Sequence, residues 1–308
     1  MAAELQCRRA TLADREDVLN IITPFEGRDY LPSLYNHMIA DPSFVGVLGE
    51  LDGEVVAFAG AWVINDGTTM MTKGSRVKEG LQGKGVYARL WRYLCDTIRD
   101  SAPGLKYEEF TTNVHNPLLH RPASKRKYAE LYRMPIRCYS LQRELIRKRT
   151  FPPSGRVQEM EVEDLRQILS DKQLSAVLFP RRLVIDWHVY LPIVENVDII
   201  KAQGTYVTKT GDEGLRTTEL ITFGDWYQCE EYLAYSMDVF GKVDDTASLS
   251  EHFHMHAKKA MELHDGDVRF LIFIEPELLD VTDSACRLLH FLPSHFFTTH
   301  CVWLIREI

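Results

Sequence analysis

Apolar and polar positions recur with two different periods along the first 150 residues, and the order of those periods is informative. Arg8-Arg9-Ala10 reads as a short strand leading to Thr11 and Asp14, a helix-start pair, and Val18, Leu19, Ile21 and Ile22 give the next segment one apolar helical face. Gly27 and Pro32 break that helix within FEGRDYLPSLY (25–35), and Leu34 and Met38 mark a second short helix. Three extended stretches follow, Phe44 to Leu51, Val55 to Ile64 and Thr69 to Val77, separated by the turn signals Asp52-Gly53 and Asn65-Asp66-Gly67. Links this short predict an antiparallel meander. Gly83-Lys84-Gly85 then opens a helix whose apolar positions Val86, Leu90, Leu94 and Ile98 have helical spacing. Tyr107 to Asn113 reads as a strand, Tyr128 to Tyr132 as part of a helix, and Arg137 to Leu145 as a returning strand.

Beyond residue 156 the alternation resumes without a glycine-rich loop. A helix is predicted near Val162 to Leu178, strands near Val184 to Leu191, Gly204 to Lys209 and Leu215 to Phe223, and a helix near Glu251 to Leu263. Strands at Val268 to Ile274 and Cys301 to Ile305 complete an order that loosely echoes the first half, with no repeated residue motif. RKRTFPPSGR (147–156) combines charge, two prolines and a glycine, and is the expected linker between domains at 1–146 and 157–308. A chain of 308 residues fits this division, since single cores seldom grow beyond roughly 250–300 residues.

Charge and composition narrow the partners. A net charge of −8 argues against general affinity for nucleic acid or anionic lipid, both of which need a basic surface. No apolar run approaches the roughly 20 residues that span a bilayer, and MAAELQCRRATLADRED lacks the apolar core of a secretory signal, so a cytoplasmic protein off the membrane is expected. Six dispersed cysteines with no C-x-x-C pair fit free thiols. In His252-x-His254-x-His256 only His252 and His256 share a helix face, which predicts a solvated or partly buried helix and no metal.

The chemistry concentrates at QGKGVYA (82–88). A glycine turn feeding a helix start directs several backbone N–H groups and the favourable end of the helix dipole at one place, which suits a pyrophosphate. Lys84 and Arg89 add charge. Gly83-x-Gly85-x-x-Ala88 also satisfies a dinucleotide fingerprint, with Glu108 or Glu109 downstream. That fold places a short, nearly all-apolar parallel strand before its glycines, whereas TTMMTKGSRV is half polar and ends a meander. Context therefore favours acyl-CoA over a dinucleotide.

Gly74-Ser75-Arg76-Val77 followed by Gln82-Gly83-Lys84-Gly85-Val86-Tyr87 resembles the GNAT signature Q/R-x-x-G-x-G/A, with Tyr87 at its last, normally small, position and Ala88 just after. RDYLP (28–32), Val63-Ile64-Asn65-Asp66-Gly67-x-Thr69-Met70, Lys127-Tyr128, Val184-Ile185-Asp186-Trp187 and Glu195-Asn196-Val197 resemble the histidine N-acetyltransferase family, which carries an acidic residue where this chain has Lys73. The resemblance implies an α/β fold with a mixed, mostly antiparallel sheet flanked by helices, splayed around the thioester. It implies a tandem arrangement, with a degenerate second GNAT-like half lacking the cofactor turn. It further implies acetyl transfer from acetyl-CoA, without a metal, to a small amine or free amino acid, histidine among the candidates. Another amine, a longer acyl-CoA, or a non-catalytic acyl-CoA sensor stay open, as does the oligomeric state.

The cofactor would be held by Arg76, Val77, Gln82, Gly83, Lys84, Gly85, Val86, Tyr87, Ala88 and Asn113, although Asn113 can instead cap its own turn. The reaction needs a neutral amine, donors for an oxyanion and an acid for the departing thiolate. Glu26, Asp29, Glu108 and Glu109 are candidate carboxylates, with solvated surface groups as the alternative. Tyr132 matches the acid tyrosine that many GNAT enzymes carry near a helix start, and Tyr128 competes with it; an aromatic core pair is the alternative for both. Asp29, Tyr30, Lys73, Thr111 and Trp187 are expected at the acceptor, with Arg28, Lys73 and Arg76 as candidate partners for its carboxylate.

Overall fold

The computed structural model describes residues 4–24, 27–120, 127–148, 156–211, 214–243, 245–295 and 298–308. Two units emerge: Met1–Phe110 with Gln228–Glu230 and Ile305–Ile308, and Thr111–Tyr227 with Glu231–Leu304. Of the expected linker, Arg147 and Lys148 close a helix, and residues 149–155 lie outside the described residues.

The first unit runs β1 (Gln6–Arg9), α1 (Arg15–Leu19), α2 (Leu31–Ala40), β2 (Phe44–Leu51), β3 (Glu54–Ile64), β4 (Thr69–Val77), α3 (Val86–Ser101) and the start of β5 (Tyr107–Asn113). The predicted meander is present: β2 and β3 pair antiparallel through Gly46 and Gly60, and β3 and β4 through Val63 and Met70. Its turns require left-handed backbone, with φ of 51° at Asp52 and 55° at Asn65 and Asp66, residues that tolerate it. After α3 carries the chain back, β5 pairs parallel with β4, Thr69–Met71 against Tyr107–Glu109. One sheet face presents Ala57, Ala59, Ala61 and Met70 to Val86, Leu90, Leu94, Cys95 and Ile98 of α3. Leu90, Leu94 and Ile98 are fully buried, and each contributes about 1.5–3 kcal/mol. The other face meets α2, where Tyr35 packs on Phe58 with ring centroids 6.0 Å apart.

The second unit contains the end of β5, β6 (Ala129–Ser140), α4 (Arg143–Lys148), β7 (Val157–Met160), α5 (Leu165–Ser170), α6 (Lys172–Leu178), β8 (Leu183–Ile185) and β9 (His188–Tyr190). It continues with α7 (Val197–Ala202), β10 (Tyr206–Thr210), β11 (Leu220–Gln228, its last residue in the first unit), β12 (Leu233–Gly241), α8 (Thr246–Leu263), β13 (Val268–Phe273), α9 (Leu279–Leu288), β14 (Leu292–Pro293) and the start of β15 (His300–Glu307), whose end from Ile305 belongs to the first unit. In the strand order β6-β13-β12-β11-β10-β7, the pairs β6–β13, β10–β11 and β10–β7 are antiparallel, and α8 joins β12 and β13 as a parallel pair. The passage β12–α8–β13 thus repeats the passage β4–α3–β5.

Several expectations are corrected. Tyr128–Tyr132 does not start a helix: Ala129 onward is strand, whose continuation pairs antiparallel with β13. Strand β6 ends at Ser140 and gives way to α4, so the strand expected through Leu145 stops short. The helix expected over Val162–Leu178 is two, because the Asp171 carboxylate accepts from the N–H groups of Gln173 and Leu174 and starts a new one. The strand expected from Leu215 begins at Leu220, and β12 and α9 are additional elements.

His252 and His256 share a face of α8, as expected, but that face is fully buried. His252 Nδ1 lies 2.6 Å from Thr208 Oγ1 and its Nε2 2.6 Å from Thr210 Oγ1; His256 Nε2 lies 2.8 Å from Thr222 Oγ1 and its Nδ1 2.9 Å from Tyr235 Oη. Among the described residues no His, Cys, Asp and Glu group has metal-binding geometry, and no helix is long and apolar enough to cross a membrane.

Burial pushes His252 down to about 3 and His256 well below the ordinary imidazole range. The unfolded chain takes up two protons below pH 6.5 that the folded chain refuses, so stability is full above pH 6.5 and falls as pH drops. At about 1.4 kcal/mol per pH unit for each histidine, pH 5 costs about 4 kcal/mol for the pair. Urea unfolding at pH 7 and pH 5 checks this, and His256→Gln should remove about half of the loss.

Candidate active site

Between β4 and α3 the chain turns through Gly80, Gly83 and Gly85, all left-handed with φ of 78°, 75° and 83°. A Cβ placed at any of the three meets no atom within 4 Å, so the turn encloses open space at backbone distance. Residues 82–85 are exposed, while Val86 anchors α3 in the core. The Gln82 amide donates to Val77 O at 3.2 Å and fixes the turn to the end of β4. Gly85 caps α3 without a side chain, and the first turn of any helix leaves its N–H groups outside the helical ladder. The pyrophosphate expected from the sequence would use this shape together with the N–H groups of the first helical turn. Helix α8 occupies the equivalent passage in the second unit and starts differently, without a glycine turn and with the Asp245 carboxylate accepting from Ser248 N at 2.6 Å. A resident anion takes the place a phosphate would need.

Strand β4 carries a bulge. Gly60 faces Lys73 and Phe58 faces Arg76, so Gly74 and Ser75 together oppose one residue, with Gly74 at φ +79°. The extra residue leaves the ladder and frees backbone polar groups there. It also resets the alternation, placing Lys73 and Arg76, three apart, on the same α2-facing side. Arg76 is 4% exposed and makes a two-pronged ion pair with Asp29, both N–O distances 3.2 Å; the same carboxylate accepts from Leu31 N at 3.1 Å. Asp29 and Arg76, expected on acceptor and cofactor, are thus brought together and lock the approach to α2 onto β4. Lys73 lies 4.9 Å from the Tyr30 ring centroid and 6.0 Å from that of Trp62, whose Nε1 donates to Asp41 at 2.8 Å. Ser75 Oγ stands 3.4 Å from the Tyr87 hydroxyl at the start of α3. Ser75 and Trp62 were not singled out from sequence; a glycine inside a strand is the signal that marks the bulge.

Glu108 and Glu109 point to opposite faces of β5. Glu108 is 1% exposed and paired with Arg306, whose Nε is 2.5 Å away and whose guanidinium stacks 4.2 Å over Trp91 on the α3 face. Glu109, also buried, pairs in register with Met71, so it lies on the Lys73 face, one pleat away. Glu26 lies outside the described residues.

Of the remaining candidates, Thr111 donates to Trp187 O at 2.5 Å, and Trp187 packs edge-on against Phe273, centroids 5.2 Å apart. Asp186 and Trp187 form the tip of the β8–β9 hairpin with φ of 42° and 65°, unusual for such residues. Asn113 Oδ1 accepts from His115 N at 2.8 Å and caps its own turn. Tyr128 is half-buried just before β6. Tyr132 donates its hydroxyl proton to Glu275, and partial burial together with that carboxylate pushes it up to about 12, beneath an Arg181 guanidinium 4.2 Å away.

The GNAT acetyltransferase family model matches residues 15–121, and the C-terminal model of histidine N-acetyltransferase matches residues 152–275. Histidine N-acetyltransferase of Oreochromis niloticus is 24% identical over 310 residues, covering 92% of this chain and 88% of that one. The human protein named Probable N-acetyltransferase 16 is 27% identical over 303 residues, covering 90% and 79%. Among solved structures, a tandem GNAT protein from the clavulanic acid biosynthesis pathway shares the fold with a TM-score of 0.57 at 12% identity, covering 99% of this chain and 98% of that one. The chain is an N-acetyltransferase that carries a GNAT acetyltransferase domain at residues 15–121 and a region of the histidine N-acetyltransferase C-terminal family at residues 152–275.

Proposed function

We propose that the protein transfers acetyl from acetyl-CoA to the α-amino group of a free amino acid, L-histidine being the first acceptor to test. The observation that carries this reading is the open left-handed glycine turn at the start of α3, beside a bulged β4. The thioester supplies an activated acyl group. Residues 82–88 would hold its pyrophosphate, and a backbone N–H released at Gly74–Ser75 would donate to the carbonyl oxygen as negative charge develops. Glu109 is a buried carboxylate on the α2-facing side, alongside Asp29 and Asp41, which are held by Arg76 and Trp62, and would draw the proton from the acceptor ammonium. The Ser75 and Tyr87 hydroxyls are the proton-bearing groups beside the turn for the departing thiolate; Tyr132, committed to Glu275, supports that role less well. Lys73, framed by Tyr30 and Trp62, would receive the acceptor's carboxylate. We assign residues 1–146 to the donor-binding half and 157–308 to the half without the turn. A cytoplasmic setting agrees with all six cysteines being free thiols.

Three variants test these assignments by CoA release across a panel of amino acids and amines. Gly85→Trp fills the open space and should lower turnover at least about 100-fold with the fold retained, since misplacement by one ångström costs about that much. Activity unchanged in this variant would sink the cofactor assignment. Lys73→Met should raise KM for the amino acid about tenfold, one lost charge-assisted contact, with KM for acetyl-CoA unchanged and a decarboxylated amine insensitive. Glu109→Gln should lower kcat by about 10²–10⁴ and remove the acidic limb of the pH–rate profile. A retained limb would exclude Glu109 as the base.

A further inference from the structure

The second unit carries a cavity of about 370 Å³ bounded by β6, β14 and the last turns of α9. Its floor is apolar: Ile136, Tyr139 and Phe291 are nearly fully buried, and Phe291 stacks on Phe270 at 5.2 Å with the rings 14° from parallel. Its rim is charged. Tyr139 donates its hydroxyl proton to Asp283 Oδ1 at 2.5 Å, and Arg137 Nε lies 3.4 Å from the same oxygen, with the Arg137 side chain 37% exposed. Arg287 donates from one nitrogen to Ser284 Oγ at 2.9 Å, a hydroxyl that gives its own proton to Asp280 O. Two guanidiniums and one carboxylate therefore line the cavity, an excess of one positive charge before His295 is counted. His300 alongside is held below the ordinary imidazole range by burial and by the charges of Arg133 and Arg137, which agrees with a positive local field.

We propose that this cavity binds a small organic carboxylate, forked between Arg137 and Arg287, with its apolar body against Ile136, Phe291 and Pro293. The guanidinium fork matches a planar carboxylate in geometry. A single excess charge balances a monoanion better than a phosphate dianion, and the apolar floor needs an apolar body to cover it. The volume falls within the range of sites for small ligands.

Calorimetric titration of the full chain at constant ionic strength tests this with sodium benzoate as probe, benzamide as its uncharged match and inorganic phosphate as the competing anion. Benzoate should bind saturably and benzamide should not. Arg287→Gln should weaken benzoate at least about tenfold, the worth of a charge-assisted contact, with the melting temperature unchanged. Arg216→Gln, in a separate surface cavity, should leave binding as it was. Arg137→Gln gives the same reading should Arg287→Gln fail to fold. Equal binding of benzamide, wild-type affinity in both arginine variants, or saturable phosphate with no benzoate binding would overturn the proposal.

Discussion

The arrangement of the first unit depends on one extra residue in β4. In a regular strand, positions 73 and 76 face opposite sides, and one of these cations would be driven into the apolar seam beneath α3. The bulge at Gly74–Ser75 turns both toward α2, where Arg76 finds Asp29 and Lys73 finds two aromatic faces. Removing one partner of such a buried pair costs about 3–5 kcal/mol, so the bulge and the ion pair hold each other in place. The same irregularity that orders the α2 side also releases backbone groups from the ladder beside the glycine turn. Packing and chemistry at this point are one constraint.

The two parallel crossovers of the chain differ in what they do with a helix start. At α3 a glycine with no side chain and an open surround leaves the positive end of the dipole available. At α8 an aspartate satisfies that end internally, and the helix instead buries two neutral histidines among threonine hydroxyls. One passage leaves its helix start open and the other satisfies it with a carboxylate. That is a physical account of why a repeated fold would carry one cofactor turn.

The first unit was legible in the sequence wherever period and punctuation agree. Strands β2 to β4 have turn signals at both breaks, and α3 repeats its apolar positions over four turns. The second unit was less so, because its elements mix signals. Ser236 and Asp238 interrupt the apolar run of β12, and α9 reads as polar through Thr282, Asp283 and Ser284. Tyr128, Leu131 and Tyr132 have helical spacing, yet Met134, Ile136 and the pairing with β13 decide for a strand. At the candidate site the turn was plain, since glycine has a local reason there. The ion pair Arg76–Asp29, 47 residues apart, the clamp of Glu108 by Arg306, 198 apart, and the bulge register are long-range facts that no local pattern encodes.

That clamp has a consequence for how the protein is made. Glu108 lies buried on β5 of the first unit, yet its partner Arg306 is synthesised 198 residues later. At ribosomal rates of about 5–20 residues per second, the carboxylate waits roughly 10 to 40 seconds for its counterion. During that interval the first unit lacks its contact with Arg306. The pairing of Arg306 with Glu108 therefore forms only when the last residues of the chain are available, so the first unit is completed by its own C-terminal segment.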